Sequence, residues 1–126
     1  MKGRSKYNSR KIVTEDGTFD SVRELDRWEE LKLMCVGGKI RRLQRQVEFE
    51  LIPAQYAESW TGKRGAEHQG KLLERKCCYV ADFAYEERHG DDWTWVIEDC
   101  KGMRTPDYII KRKLMLFLKG IRIRET

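Results

Sequence analysis

The chain has no CxxC pair, no apolar run near the length of a membrane span, no internal repeat and only two prolines. Each absence removes a class of protein. The four cysteines, Cys35, Cys77, Cys78 and Cys100, lack the spacing of a zinc ribbon or a redox pair. They read as small, mostly apolar residues in a reducing compartment. A membrane helix needs about 20 apolar residues, and the N-terminus lacks the apolar segment of a signal peptide, so the expectation is a soluble cytoplasmic protein with no membrane partner. Without a repeat of 20–50 residues a solenoid is excluded. The prolines interrupt no element: Pro53 ends a strand and Pro106 begins a helix.

What is present is charge. The 126 residues include 26 Lys and Arg against 21 Asp and Glu, a net charge of +5 that favours a polyanionic partner. Residues 1–11 carry Lys2, Arg4, Lys6, Arg10 and Lys11 with almost no apolar content and are expected to form a basic flexible arm. Residues 12–126 are expected to form a single domain. Ile12 to Phe19 brackets a hairpin signal at Glu15-Asp16-Gly17, and a helix capped by Asp20 or Ser21 should run from about Ser21 to about Val36. Trp28, Leu31 and Cys35 share one arc of that helix, with Glu24 in the middle of it. Arg41 to Ile52 reads as a strand with Val47, Phe49 and Leu51 on one face. Ala54 to Gly70 reads as an exposed loop excursion, Leu72 to Glu86 and Trp93 to Cys100 as two further strands. Thr105-Pro106-Asp107 starts a helix that continues to Lys119, with Gly120 as terminator. Ile121 to Arg124 alternates as a final strand. The order is helix, three strands, helix, strand.

Three acids and a lysine sit where folding alone would place something else. Glu24 is centred on a stripe that should be buried, which is costly for an ionisable group unless it is paired or binds a metal. Asp82 lies within the apolar run Tyr79-Val80-Ala81-Asp82-Phe83, and Asp99 within Trp95-Val96-Ile97-Glu98-Asp99. Strand parity puts Asp99 and Lys101 on one face and Glu98 on the other. Asp82 and Asp99 from neighbouring strands, with the carbonyl of Cys100, are hard oxygen donors of the kind Mg²⁺ takes. Lys101 could orient an attacking water or offset the charge that develops on a phosphate, and Glu24 could complete the metal shell. Each residue also has a plainer explanation: Asp82 bonded to a loop amide, Asp99 and Lys101 an ordinary salt bridge, Glu24 capping its helix or pairing with Arg23 or Arg27.

These residues, in this order of elements, resemble the PD-(D/E)XK nuclease superfamily, and the whole chain resembles a family of short phage and prophage proteins within it. The likeness is carried by Lys6-Tyr7-Asn8-Ser9-Arg10-Lys11, Phe19-Asp20-Ser21 with Glu24, Gln46-Val47-Glu48-Phe49-Glu50-Leu51, Tyr79-Val80-Ala81-Asp82-Phe83 and Glu98-Asp99-Cys100-Lys101-Gly102. It implies an α/β, restriction-endonuclease-like core with a mixed central sheet flanked by helices. It also implies Asp82 and Asp99 as metal carboxylates, Lys101 as the catalytic lysine, Glu24 as the first-helix glutamate and Gln46 as a neighbour of the site.

The function expected on both grounds is Mg²⁺-dependent hydrolysis of DNA phosphodiester bonds, with Mn²⁺ able to substitute. A branched, Holliday-junction-type substrate suits the small size and basic balance, and a homodimer suits symmetric cutting, with Trp60 and Trp93 as candidate interface residues. Candidate contacts to the DNA backbone are Lys6, Arg10, Lys11, Lys63, Arg64, Lys111, Arg112 and Lys113. The competing class is a non-catalytic DNA-binding or assembly module that keeps the fold, and RNA as substrate stays open.

Overall fold

A computed structural model describes residues 11–126; Lys6 and Arg10 lie outside the described residues. Strands β1 (Ile12–Thr14) and β2 (Gly17–Phe19) form the expected hairpin. Helix α1 (Val22–Val36) follows, capped by Ser21, whose hydroxyl accepts from the Glu24 amide at 3.1 Å. Glu24 reaches back to the Asp20 amide at 3.3 Å, a close variant of the reciprocal Ser-x-x-Glu cap. The long strand β3 (Ile40–Ile52) leads to an excursion made of β4 (Gln55–Tyr56), β5 (Trp60–Thr61), β6 (Glu67–His68) and β7 (Leu72–Glu74). After it come β8 (Cys77–His89), β9 (Asp92–Asp99), α2 (Pro106–Lys119) and β10 (Arg124–Glu125). Helix α2 is bounded as its sequence predicts: Thr105 caps it, Pro106 opens it, and Gly120 closes it at φ 65, a left-handed conformation that glycine adopts without steric cost.

The central sheet has the order β10-β9-β8-β3 and is mixed, with β10 parallel to β9 and the other pairs antiparallel. One helix packs on each face. Under α2 lies an apolar cluster containing Leu51, Tyr79, Ala81, Ile97, Tyr108 and Met115. Under α1 lies a second, of Leu31, Ile40, Phe83, Tyr85 and Val96. This is the α/β, restriction-endonuclease-like arrangement of a mixed sheet between two helices. Neither helix is long and apolar enough to cross a membrane.

Three expectations change. Residues 54–70 are not a plain loop but contain ribbon strands, β4 pairing with β7 and β5 with β6. Leu72–Glu74 belongs to that ribbon rather than to β8, because Leu72 pairs with Tyr56 and Glu74 with Gln55, and its leucines stay exposed instead of entering the sheet. The last strand is shorter and later than Ile121 to Arg124. The Ile121 amide still bonds to the Met115 carbonyl at 3.2 Å, and Ile123 is buried in the α2-side cluster. The alternation there records the helix exit and its packing, and only Arg124 and Glu125 pair with β9.

Candidate active site

Strict alternation would keep Tyr79, Ala81, Phe83 and Tyr85 on one face of β8. Instead the first two pack under α2 and the last two under α1. Strand β3 makes the same change, with Val47 and Phe49 packing on the α2 side and Leu43 on the α1 side. Pairing is in one register on both sides of the change, Arg45 with Phe83 and Val47 with Ala81. The crossover therefore falls at the facing residues Gln46 and Asp82. Gln46 has φ 52, a left-handed conformation uncommon outside glycine and worth about 1–3 kcal/mol of strain.

Asp82 accepts a hydrogen bond from the Cys100 amide at 2.8 Å. Burial and the neighbouring Asp99 carboxyl push its pKa up to about 8, with Glu24 adding to the rise. Asp99, on the α2 side, accepts from the Tyr79 hydroxyl at 2.5 Å. The Lys101 ammonium stands 3.3 Å from the other Asp99 oxygen and 4.2 Å from the centre of the Tyr108 ring. Lys101 lies two residues beyond Asp99, where β9 ends, with its amide bonded to the Thr126 carbonyl. Asp82, Asp99 and Lys101 are thus together at one end of the sheet.

Glu24 is 4% exposed and burial raises its pKa. Gln46 donates to one of its oxygens at 3.2 Å, and the Arg45 guanidinium approaches the same oxygen at 3.5 Å. Arg45 in turn lies over the Phe19 ring at 3.6 Å and donates to the Thr18 carbonyl. The first helix, the β1–β2 hairpin and the break in β3 therefore meet at Glu24. Neither Arg23 nor Arg27 pairs with it among the described residues.

Arg27 is committed elsewhere. It makes two hydrogen bonds of 2.8 Å to Glu98, which is wholly buried and also accepts from Tyr85 at 2.6 Å and Thr126 at 3.2 Å. Sequence reasoning missed this network and the supporting tyrosines, Tyr79 and Tyr85. Their places within a buried strand are the only local signal. Whether an aromatic ring there ends in a carboxylate contact depends on the cross-strand register, which the sequence does not display.

The chemistry of the donors suits a divalent cation: two adjacent carboxylates, one with its pKa pushed up to about 8 by burial and by the other, would be relieved by it. Their present partners do not form a ready cage. Among the described residues no three His, Cys, Asp or Glu side chains are grouped so as to hold a metal ion. Asp82 faces the Cys100 amide, while Glu24 is held by Gln46, Arg45 and the Asp20 amide. The plainer explanations, an aspartate on a loop amide, a salt bridge and a helix cap, are all present as contacts.

The remaining candidates are spread over the surface. Lys11, Lys63, Arg64 and Lys113 are exposed, Lys111 and Arg112 half-buried, and Arg112 is 3.4 Å from Glu125. Trp60 is exposed and stacked on His68, and Trp93 lies under the Arg41 guanidinium.

The model of one protein family, described as "Protein of unknown function (DUF1064)", matches residues 4–122. No curated protein and no solved structure matches the chain.

Proposed function

The chain belongs to the DUF1064 family, and we propose that it is a metal-dependent endodeoxyribonuclease with a nuclease-like fold, hydrolysing DNA phosphodiester bonds in phage or prophage DNA metabolism. One observation carries the reading. Asp82 and Asp99 are crowded together beside Lys101 at the point where two neighbouring strands exchange faces, and an acid pair with a strained neighbour is costly without a task. Asp82 and Asp99 would hold Mg²⁺ or Mn²⁺, with the Cys100 carbonyl and Glu24 as further oxygen donors. When bound, the ion supplies charge neutralisation at the phosphate. Tyr79 fixes the orientation of Asp99, and Gln46 that of Glu24. Lys101 directs its ammonium at an attacking water or at the charge developing on the phosphate oxygens. A branched substrate would call for two such sites, one from each copy of a homodimer.

A second reading is a DNA-binding or assembly module without catalysis. It is favoured by the absence, among the described residues, of a three-ligand group and by the protein partner that each carboxylate already has. It needs no rearrangement of these side chains, and fold and family support it most directly. The catalytic reading adds a reason for the acids to be adjacent.

Supercoiled plasmid, a four-way DNA junction and single-stranded RNA, each incubated with the protein and Mg²⁺ or Mn²⁺, separate the two. Cleavage of DNA that needs metal and is lost in Asp99→Ala and Lys101→Ala is the expected result. No metal-dependent cleavage above those variants, with junction binding unaffected by EDTA, would leave the binding module.

A further inference from the structure

Between Ile52 and Cys77 the chain leaves the sheet, and none of residues 53–76 belongs to either apolar cluster. The segment is nonetheless built. β4 pairs with β7 and β5 with β6, the Ala57 amide bonds to the Lys71 carbonyl, and the Gly62 amide bonds to the Ala66 carbonyl. Gly70 lies so close to Ala57 that a Cβ there would fall 2.1 Å from its carbonyl oxygen. A projecting ribbon that is internally paired yet adds nothing to the core gains its value from what it touches.

Its surface points to one partner chemistry. Lys63, Arg64, Lys71, Arg75 and Lys76 face only Glu58, Glu67 and Glu74 in the same stretch. Lys76 pairs back to Glu48 on β3 at 3.0 Å, and Ser59 donates to Glu67. At the tip, Lys63 and Arg64 have no ion-pair partner among the described residues. Just behind them Trp60 and His68, directly opposite across the β5–β6 pair, stack with ring centres 4.2 Å apart and planes 18° from parallel. Gly62 leaves space for that stack, since a Cβ there would come within 2.9 Å of the His68 Nε2. Trp60 remains 57% exposed.

We infer that this ribbon is a nucleic-acid clamp: Lys63 and Arg64 take backbone phosphates, and the Trp60–His68 stack takes an unpaired base. Cations beside an open aromatic face are the parts of a single-strand platform. A base inside a duplex is covered on both sides by its neighbours, so the stack selects DNA with unpaired nucleotides over a continuous duplex. The inference rests on the nucleic-acid reading above but not on hydrolysis.

The test is binding of the full chain, in EDTA so that nothing is cut, to a blunt duplex, a forked duplex with unpaired arms, and the same fork with abasic arms. The intact fork should bind about tenfold tighter than the other two, within the range known for stacking of one base on an aromatic residue. Trp60→Ala should remove that preference, and Trp60→Phe should keep most of it. Lys63→Ala with Arg64→Ala should weaken all three substrates and lower the salt slope by about one to two. Thermal unfolding should be the same in every variant, since none of these side chains reaches the core. A parent chain without fork preference, or a Trp60→Ala chain that keeps it, overturns the proposal. Loss of the hydrolytic reading alone would leave the binding contrast in place.

Discussion

Glu98 and Asp99 are consecutive on β9, both buried, and their surroundings are opposite. On the α1 side, Glu98 is answered by a two-pronged arginine, a tyrosine and a threonine, so its charge is matched and its oxygens are filled. On the α2 side, Asp99 has one tyrosine and a lysine at 3.3 Å, and it crowds a second carboxyl whose proton it helps to retain. A carboxylate kept for the fold is fully paired, whereas one placed beside another acid stores an electrostatic cost that only a cation or a proton relieves. The two residues thus set a fully paired acid and a crowded one on either side of a single peptide bond.

The largest effect expected is on the structural side. Arg27→Met leaves Glu98 buried and without its cation, and should cost about 3–5 kcal/mol in urea unfolding, the range for breaking one partner of a buried pair. Arg27→Met with Glu98→Leu should recover much of that loss. If Arg27→Met changes stability by less than the scatter of such measurements, the contrast between the two acids fails.

The Asp99 side should behave the other way if the proposed hydrolysis holds. Lys101→Ala is expected to lower DNA cleavage by about 10²–10³-fold, as loss of one charge-stabilising group does. Its single 3.3 Å contact with Asp99, which keeps the Tyr79 hydroxyl as a partner, should contribute less to unfolding free energy than the two-pronged Arg27–Glu98 pair. Large destabilisation with intact cleavage would make Lys101 a structural residue.

Protons sharpen the comparison next. Asp82 holds its proton up to about pH 8 when folded, against about 4 in an unfolded chain. The folded state therefore binds more protons between those values, and metal-free stability should fall as pH rises through that window. Glu24, also raised, adds a slope of the same sign. Asp82→Asn should exceed the parent in EDTA, and by much more near pH 8 than near pH 5. Mg²⁺ at a hundred times its dissociation constant should raise the parent by about 2.7 kcal/mol at pH 8, and a chelator should reverse that gain. No rise with metal, together with a flat pH profile in EDTA, would remove the reason for reading the acid pair as a cation site.

How much of this was legible depended on the range of the signal. The caps of both helices, the hairpin turns and the order of the main strands follow from local residues, because Ser21, Thr105, Pro106 and Gly120 act through contacts within one turn. Parity correctly separated Asp99 from Glu98, since both lie on the regular part of β9. It could not foresee that β3 and β8 change faces at Gln46 and Asp82, because a break in alternation with no glycine or proline leaves no compositional mark. The same limit hid Arg27 on Glu98, a contact 71 residues apart, and the ribbon strands, which are two or three residues long and have no buried face.

The smallest effect isolates that break. Gln46 combines a left-handed backbone, φ 52, with a hydrogen bond to Glu24. In an ordinary strand, glycine is less stable than alanine by roughly 0.5–1 kcal/mol, because it loses more freedom on folding. At φ 52 the order should invert: Gln46→Ala keeps the strain and loses the hydrogen bond, while Gln46→Gly loses the bond but releases the strain. Glycine should therefore be the more stable of the two by about 1 kcal/mol, measured by urea unfolding of both variants. The usual strand order at position 46 would mean that the crossover carries no strain, and that the placement of Asp82 needs no special backbone to hold it.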